Sequence, residues 1–423
     1  GRRGGQYVIR MRTLGGELMA KYFIKDEKII DILNRYPETV EFFVNKGFDK
    51  LKNEKDRDVI GKLSLNLILK TKGISIEGFS QMLDDFFELA RNSADITLNQ
   101  KTKRTKGVKV VGLLPCPVRV PLLEQFDAFV EKNETDIEYD LKAASHGLEW
   151  LKGTVRNVED YNELADIYLS AGFDLFFDEK LMGKFKKAGV FKSGVKYDKF
   201  NSDFENDYMS LKDPSGDYSI LAVVPAVFLV NKNELNGREV PKTWADLLKP
   251  EFEKSVSLPV SDVDLFSASL LTIHKLYGDE GVKKLGKSLI QSLHPAQMVK
   301  SDRLTVNRPT VTIMPYFFTR MTKEGGTMIP VWPEDGAIIS PVFMLTKAEK
   351  LKEMESLIDV LSSKAVGEIL SHKGFFPSVN PEVENLTPRD KKYLWIGWDY
   401  IYNNNLQEQM HHCEDLFNKA GLE

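Results

Sequence analysis

Cys116 and Arg119 stand three residues apart in the segment VKVVGLLPCPVRVPLLEQFDAFVEK, which begins at Val108. An arginine can hold a carboxylate, phosphonate or other oxyanion through two parallel hydrogen bonds. A cysteine at a helix start beside an arginine can have a depressed pKa and act as a nucleophile. Nucleophilic catalysis also needs a base in reach. His146, which follows the strand-like IEYDLKAAS, is the residue that could supply one. Simpler roles compete: Arg119 can pair with Glu124 on the surface, and His146 can sit in a loop or cap a helix. Binding therefore ranks ahead of catalysis.

The elements around this pair are legible. The apolar run Val108 to Leu114 meets Pro115, Pro117 and Pro121, and the pattern Leu122, Leu123, Phe126, Phe129, Val130 follows. That order predicts a buried strand, a tight loop and a helix. Ligands in open α/β sheets sit at the carboxyl ends of strands, where helix starts offer backbone N–H groups. Downstream, strand-like runs alternate with helical ones: 165–174, 256–278 and 309–321, with long β-rich stretches at 218–232 and 328–347. Such alternation argues for α/β architecture.

Residues 20–98 differ. Asp26 is placed to cap a helix carrying Ile29, Ile30, Ile32 and Leu33. A second helix holds Val40, Phe42, Phe43 and Val44 and ends at Gly47. Leu63 to Leu69 suggest a third, and Ile76 with Phe79 to Leu89 a fourth. NQKTKRTKG, 99–107, is polar and basic with no interleaved aromatic residue, and reads as a solvated linker. Residues 1–18 read as a leader or upstream read-through, with Met19 a natural start.

The bulk numbers exclude several classes. A net charge of −4 gives no global field for nucleic acid or an acidic membrane. The two cysteines, Cys116 and Cys413, form neither a disulfide framework nor a CxxC metal motif. The six histidines do not match a zinc helix, so no metal and no cofactor is expected. No apolar stretch approaches the roughly 20 residues of a membrane span. No signal-peptide pattern is visible, so the expected location is cytoplasmic, or extracytoplasmic if a signal has been removed.

Two resemblances sharpen this reading. IIDILNRYPETVEFFVNKGF with DKLKNEKDRDVIGKLSLNLILKTKGISIEGFSQML resembles the DUF1858 family of small helical domains. ADIYLSAG (165–172), LMGKFKKAGVFK (181–192), VFLVNKNELNGREVPKTWADLLKPEFEKSVSLPV (227–260), WPEDGAIISP (332–341) and GFFPSVNPEV (374–383) resemble the extracellular solute-binding proteins of ABC transporters. The nearest group is the iron-type branch of the type 2 periplasmic-binding fold. The resemblance implies an α/β, two-lobed fold preceded by a small all-α domain. The implied division is 19–98 helical domain, 99–107 linker and 108–423 binding domain. Lobe one spans about 108–226 and 337–423, lobe two about 227–336, and hinge closure on the ligand is implied. Iron-type members use a tyrosine pair late in the chain, whereas Met314-Pro315-Tyr316-Phe317-Phe318 has one tyrosine.

The candidate site follows from strand-end loops facing each other across such lobes. Lobe one offers Pro115, Cys116, Pro117 and Arg119, then Ser170, Gly172 and Phe173. Lobe two offers Ser261, Asp262, Pro315, Tyr316 and Phe317, and the crossovers add Pro225 and Glu334. Ser170 and Gly172 would give hydroxyl and backbone contacts. Tyr316 and Phe317 would stack on an organic ligand or pack the lobe. Asp262 and Asp264 would accept from an amine or cap the helix near Leu265. The expected function is non-catalytic binding of a small anionic solute, for transport or intracellular sensing. Its partner is an ABC-transporter permease or a cytoplasmic protein reached through the helical domain. The alternative is a cysteine-dependent enzyme using Cys116, as cysteine-dependent thiaminases do on this fold.

Overall fold

A strand buried on both faces reads as a nearly continuous apolar run, and four segments of this chain do so. They are β1 (Val108–Leu114), β3 (Ile167–Ala171), β4 (Ser219–Asn231) and β8 (Ala337–Thr346). The structure is a computed structural model that describes residues 23, 26–35, 39–76, 78–80, 82–83, 107–114, 116–133, 137–258, 263–290, 309–316, 319 and 325–422. The remaining strands are β2 (Ile137–Ala143), β5 (Val256–Ser257), β6 (Val311–Pro315), β7 (Met328–Val331) and β9 (Tyr393–Leu394). All nine join one sheet in the order β2-β1-β3-β8-β4-β6-β5, with β7 on β4 and β9 on β8. β1 is parallel to β2 and β3, while β8 is antiparallel to both β3 and β4. β4 then continues antiparallel to β6, which carries β5 in parallel. The long strand β4 therefore connects the two parts of the sheet, paired with β8 over its first half and with β6 over its second.

Among the described residues, short helices precede the sheet: α1 (Ile29–Arg35), α2 (Thr39–Asn45), α3 (Glu54–Ile60) and α4 (Leu65–Thr71), and residues 76, 78–80 and 82–83 are helical as well. Rings of Phe42, Phe43, Phe48 and Phe79 meet at 5.5–6.0 Å to form their core. That core continues into Leu229 of β4 and Met314 of β6, so the helices pack on the lobe-two strands. Asp26 does not cap α1; its carboxylate accepts from Asn66 Nδ2 at 3.1 Å, on α4. The strand-loop-helix expected after Val108 is present as β1 and α5 (Cys116–Asn133).

Further helices are α6 (Ala144–Val155), α7 (Gly183–Lys187), α8 (Trp244–Leu247), α9 (Val263–Ser288), α10 (Glu355–Leu361) and α11 (Lys364–Glu368). α12 (Trp398–Asn403) and α13 (Leu406–Leu422) close the chain. The Pro-x-x-Trp-x-Asp-Leu segment has a structural cause. Thr243 and Asp246 form a capping box for α8, and Trp244 is buried against Phe228 with its indole N–H donated to Gly336 O at 2.8 Å. The aromatic run after Tyr393 anchors to lobe one through Trp398, which stacks on Tyr218 and donates to Leu211 O. α13 instead packs along α9.

Candidate functional site

The floor of the site is the point where β4 changes partner. Along one edge it pairs with β8, from Ser219 opposite Met344 to Ala226 opposite Ile338. Along the other edge it first meets the late loop: Val223 N–H donates to Pro377 O at 3.0 Å, and Val379 N–H to Leu221 O at 3.1 Å. From Ala226 onward that edge belongs to β6, with Ala226 opposite Pro315. The switch falls at Val224 and Pro225, and proline has no N–H to extend a ladder.

Side chains from both lobes meet above this switch. Tyr316 follows β6, and Phe375 lies two residues before Pro377. Their rings touch edge-on, with centroids 5.7 Å apart. Tyr316 also packs edge-on against Trp332 at 5.1 Å, whose indole donates to Lys392 O. Phe375 has φ +52°, a left-handed conformation that is costly for a bulky side chain and gathers at ligand clamps. Gly374 presses on the first turn of α5: a Cβ there would lie 2.6 Å from Val118 Cγ1. It would also collide with Phe376 Cδ2, so the loop packs here because the residue has no side chain. The first N–H groups of a helix have no intrahelical partner and favour negative charge.

Two buried hydroxyls lie in this neighbourhood. Ser340 on β8 stands opposite Val224, is fully buried, and its Oγ has no hydrogen-bond partner among the described residues. Ser371 sits in the π-type turn Ile369–Lys373, which packs on α5; its Oγ is likewise buried and unpartnered among the described residues. A buried hydroxyl without a partner costs about 1–3 kcal/mol. Ser340, Ser371, Gly374, Phe375 and Trp332 were not singled out from sequence. The signal that could have found them is the GFFPSVNPEV and WPEDGAIISP segments, which carry all of them but Ser371.

The expected residues distribute unevenly. Pro115, Ser261, Asp262 and Phe317 lie outside the described residues. Cys116, Pro117 and Arg119 form the opening turn of α5, and His146 the first turn of α6; their side chains lie outside the description. Pro225, Pro315 and Tyr316 come together at the switch. Gly172, at φ +88°, donates its N–H to Pro341 O, next to Ser340. Ser170 turns its hydroxyl to Ala171 O at 3.1 Å within the lobe. Phe173 departs from a cleft role: its ring is buried, stacked on Trp395 at 6.2 Å and edge-on to Phe343, because a large apolar ring packs best in the lobe-one core. Glu334 is exposed, with its N–H on Lys242 O. Cys413 is buried in α13, and burial pushes its thiol up to about 12, which leaves it unreactive.

Chemically, the assembled groups suit a polar solute: donors at a helix start, buried hydroxyls and aromatic rings from both lobes. The one metal-capable cluster among the described residues, His274, Asp279 and His412, includes none of these groups.

Comparisons with known proteins agree with this architecture. Among proteins of curated function, none matches the chain. Several solved structures share its fold. The ferric binding protein from Campylobacter jejuni is 15% identical with a TM-score of 0.52, covering 74% of this chain and 99% of its own. The apo ferric ion-binding protein A of Pasteurella haemolytica is 15% identical at 0.50, covering 74% and 98%. The Trichodesmium protein IdiA (FutA), solved with iron and citrate ligands, is 11% identical at 0.50, covering 74% and 99%. At these identities the likeness establishes the fold alone. Residues 24–79 match the domain of unknown function DUF1858, a span that holds α1 to α4. Residues 162–404, more than half of the chain, match the model for bacterial extracellular solute-binding proteins, and the protein belongs to that family.

Proposed function

We propose that this protein binds one small anionic solute, without transforming it, in the cleft above Val224 and Pro225. The observation that carries the reading is the meeting of Tyr316 from lobe two with Phe375 from lobe one, beside the opening turn of α5. A solute held there would touch both lobes and favour their closure. Three features support an anion. The first turn of an 18-residue helix faces the loop at Gly374. That turn carries Arg119. Buried hydroxyls of Ser340 and Ser371 stand ready to donate. One tyrosine in the loop after β6, where iron-type relatives carry a pair, argues for a ligand other than iron.

Native mass spectrometry with and without denaturation tests the reading. The expected result is an extra mass that is lost on denaturation and carries negative charge in solution. Thermal-shift measurements with citrate, inorganic phosphate and a hexose phosphate then define the class. Arg119→Ala should weaken retention at least tenfold, a loss of about 1.4 kcal/mol. Cys116→Ala should leave it intact; a thiol trapped quickly by iodoacetamide near neutral pH, with a turnover that Cys116→Ala abolishes, would replace binding with catalysis. The reading fits delivery to an ABC-transporter permease outside the cytoplasm, or sensing within it through the helical segment. Fractionation of cells separates these two placements.

A further inference from the structure

His274 Nε2 lies 2.7 Å from Asp279 Oδ1, and His412 Nε2 lies 2.9 Å from the same oxygen. α9 supplies the first two residues and α13 the third. Residues five apart on an unbroken helix do not face each other. α9 is broken at Gly278, with φ +68° and ψ −163°, and the break turns Asp279 toward His274. Only glycine adopts such angles readily. The seam between the two helices is tight. A side chain at Gly286 would collide with the Phe417 carbonyl, and Phe266 packs edge-on against Phe417 at 5.2 Å. The backbone carrying the three groups is therefore fixed.

Two imidazoles and one carboxylate are a donor set for a borderline cation such as Zn²⁺, with a coordination position left for water. The three donor atoms lie within 4.8 Å of one another. A tetrahedral zinc ion with bonds near 2.0–2.1 Å needs donors about 3.3 Å apart. Small side-chain rotations reach that spacing. His274 is 19% exposed, while Asp279 and His412 are about half exposed, so an ion can enter from solvent. We propose that His274, Asp279 and His412 form a divalent transition-metal site that fastens α13 to α9. α13 follows α12, which Trp398 anchors in lobe one, and α9 lies between the lobe-two strands β5 and β6 in sequence. An ion at the seam would thus tie the C-terminal helix of the chain to the opposite lobe.

The test uses the full chain without a histidine tag, titrated calorimetrically with Zn²⁺ and spectroscopically with Co²⁺. The expected result is one equivalent of Zn²⁺ and a visible Co²⁺ absorption that Zn²⁺ displaces. His274→Ala, His412→Ala and Asp279→Asn should each weaken Zn²⁺ binding on the order of tenfold or more. His411→Ala, whose native ring pairs with Gln407 instead, should leave the affinity unchanged. If His274→Ala fails to fold, the more exposed His412 keeps the test open. No stoichiometric uptake by the unaltered chain, or equal affinity in His412→Ala, would overturn the proposal.

Discussion

Around the point where β4 changes partner, the hydroxyls of Ser340 and Ser371 are buried with no hydrogen-bond partner among the described residues, whereas along the α9–α13 seam Asp279 and His412 are about half exposed, His274 is 19% exposed, and both imidazoles bond the Asp279 carboxylate. The first arrangement lowers stability, since a buried hydroxyl loses its hydration without compensation. The second costs little, because water solvates whatever the three groups do not satisfy. A site of the first kind must be supported by the rest of the fold. Here that support is the shared sheet and the fully buried strands β4 and β8. A site of the second kind needs only two helices in register. The contrast sets the proposed solute site against the proposed cation site, and it can be broken experimentally.

The largest expected effect is at Trp398, which anchors α12, the helix before α13, in the lobe-one core. Its indole stacks on Tyr218 and Tyr402, packs edge-on to Phe343 and donates to Leu211 O at 2.8 Å. Trp398→Ala should cost about 3–5 kcal/mol, read by urea denaturation. If the regions are independent, the destabilised protein still gains thermal stability from Zn²⁺. Loss of that gain in a protein with native circular dichroism would show that the seam depends on the lobe-one anchor.

The parts of this molecule that the sequence disclosed are those where a local pattern decides. β1 and α5 follow from an apolar run, a proline break and an amphipathic repeat. Likewise β3, β4 and β8 are apolar enough to be read as buried strands. α3 escaped notice because EKDRDVI buries no residue and has no apolar stripe. Asp26 looked like a cap, but a contact forty residues away claimed its carboxylate. Phe173 looked like a cleft residue because its loop follows a strand, and only the folded core shows Trp395 and Phe343 around it. The pairing of Tyr316 with Phe375 is set by which loop lies along which edge of β4, and no local pattern encodes that. The histidine–aspartate cluster is hidden for the same reason: His412 is 133 residues from Asp279 in sequence.

Asp174 gives the next effect, and its neighbours include α13. It lies two residues beyond Gly172, with Lys152, Glu414, Asp178 and His411 as its charged neighbours. Burial raises its carboxyl from the ordinary 3.8 to about 6, and Oδ2 has no hydrogen-bond partner among the described residues. The folded state thus holds this proton more tightly than the unfolded chain. The sign follows: the penalty of the charged carboxylate is absent below about pH 4, grows as pH rises, and is complete above about pH 6. A shift of two pKa units corresponds to roughly 3 kcal/mol at most. Asp174→Asn should therefore stabilise the protein by about 1–3 kcal/mol at pH 7.5 and by little at pH 4. Urea denaturation at both values checks it. Equal effects at the two pH values would mean that ionisation of this carboxyl does not set the difference.

The smallest effect bears most directly on the cleft. Removing a buried, unpaired hydroxyl removes its desolvation penalty, so Ser340→Ala and Ser371→Ala should each stabilise the solute-free protein by about 1 kcal/mol. The same substitutions should weaken retention of the co-purified solute, because the hydroxyl then has nothing to donate. Stability and retention would move in opposite directions, which distinguishes a hydroxyl kept for a ligand from one kept for packing. The seam predicts a different pattern: His412→Ala should leave the metal-free stability within about 0.5 kcal/mol, since an exposed pair contributes little. If Ser340→Ala stabilises the protein and retention is unchanged, that hydroxyl faces no solute, and the recognition groups must be sought at the opening turn of α5 alone.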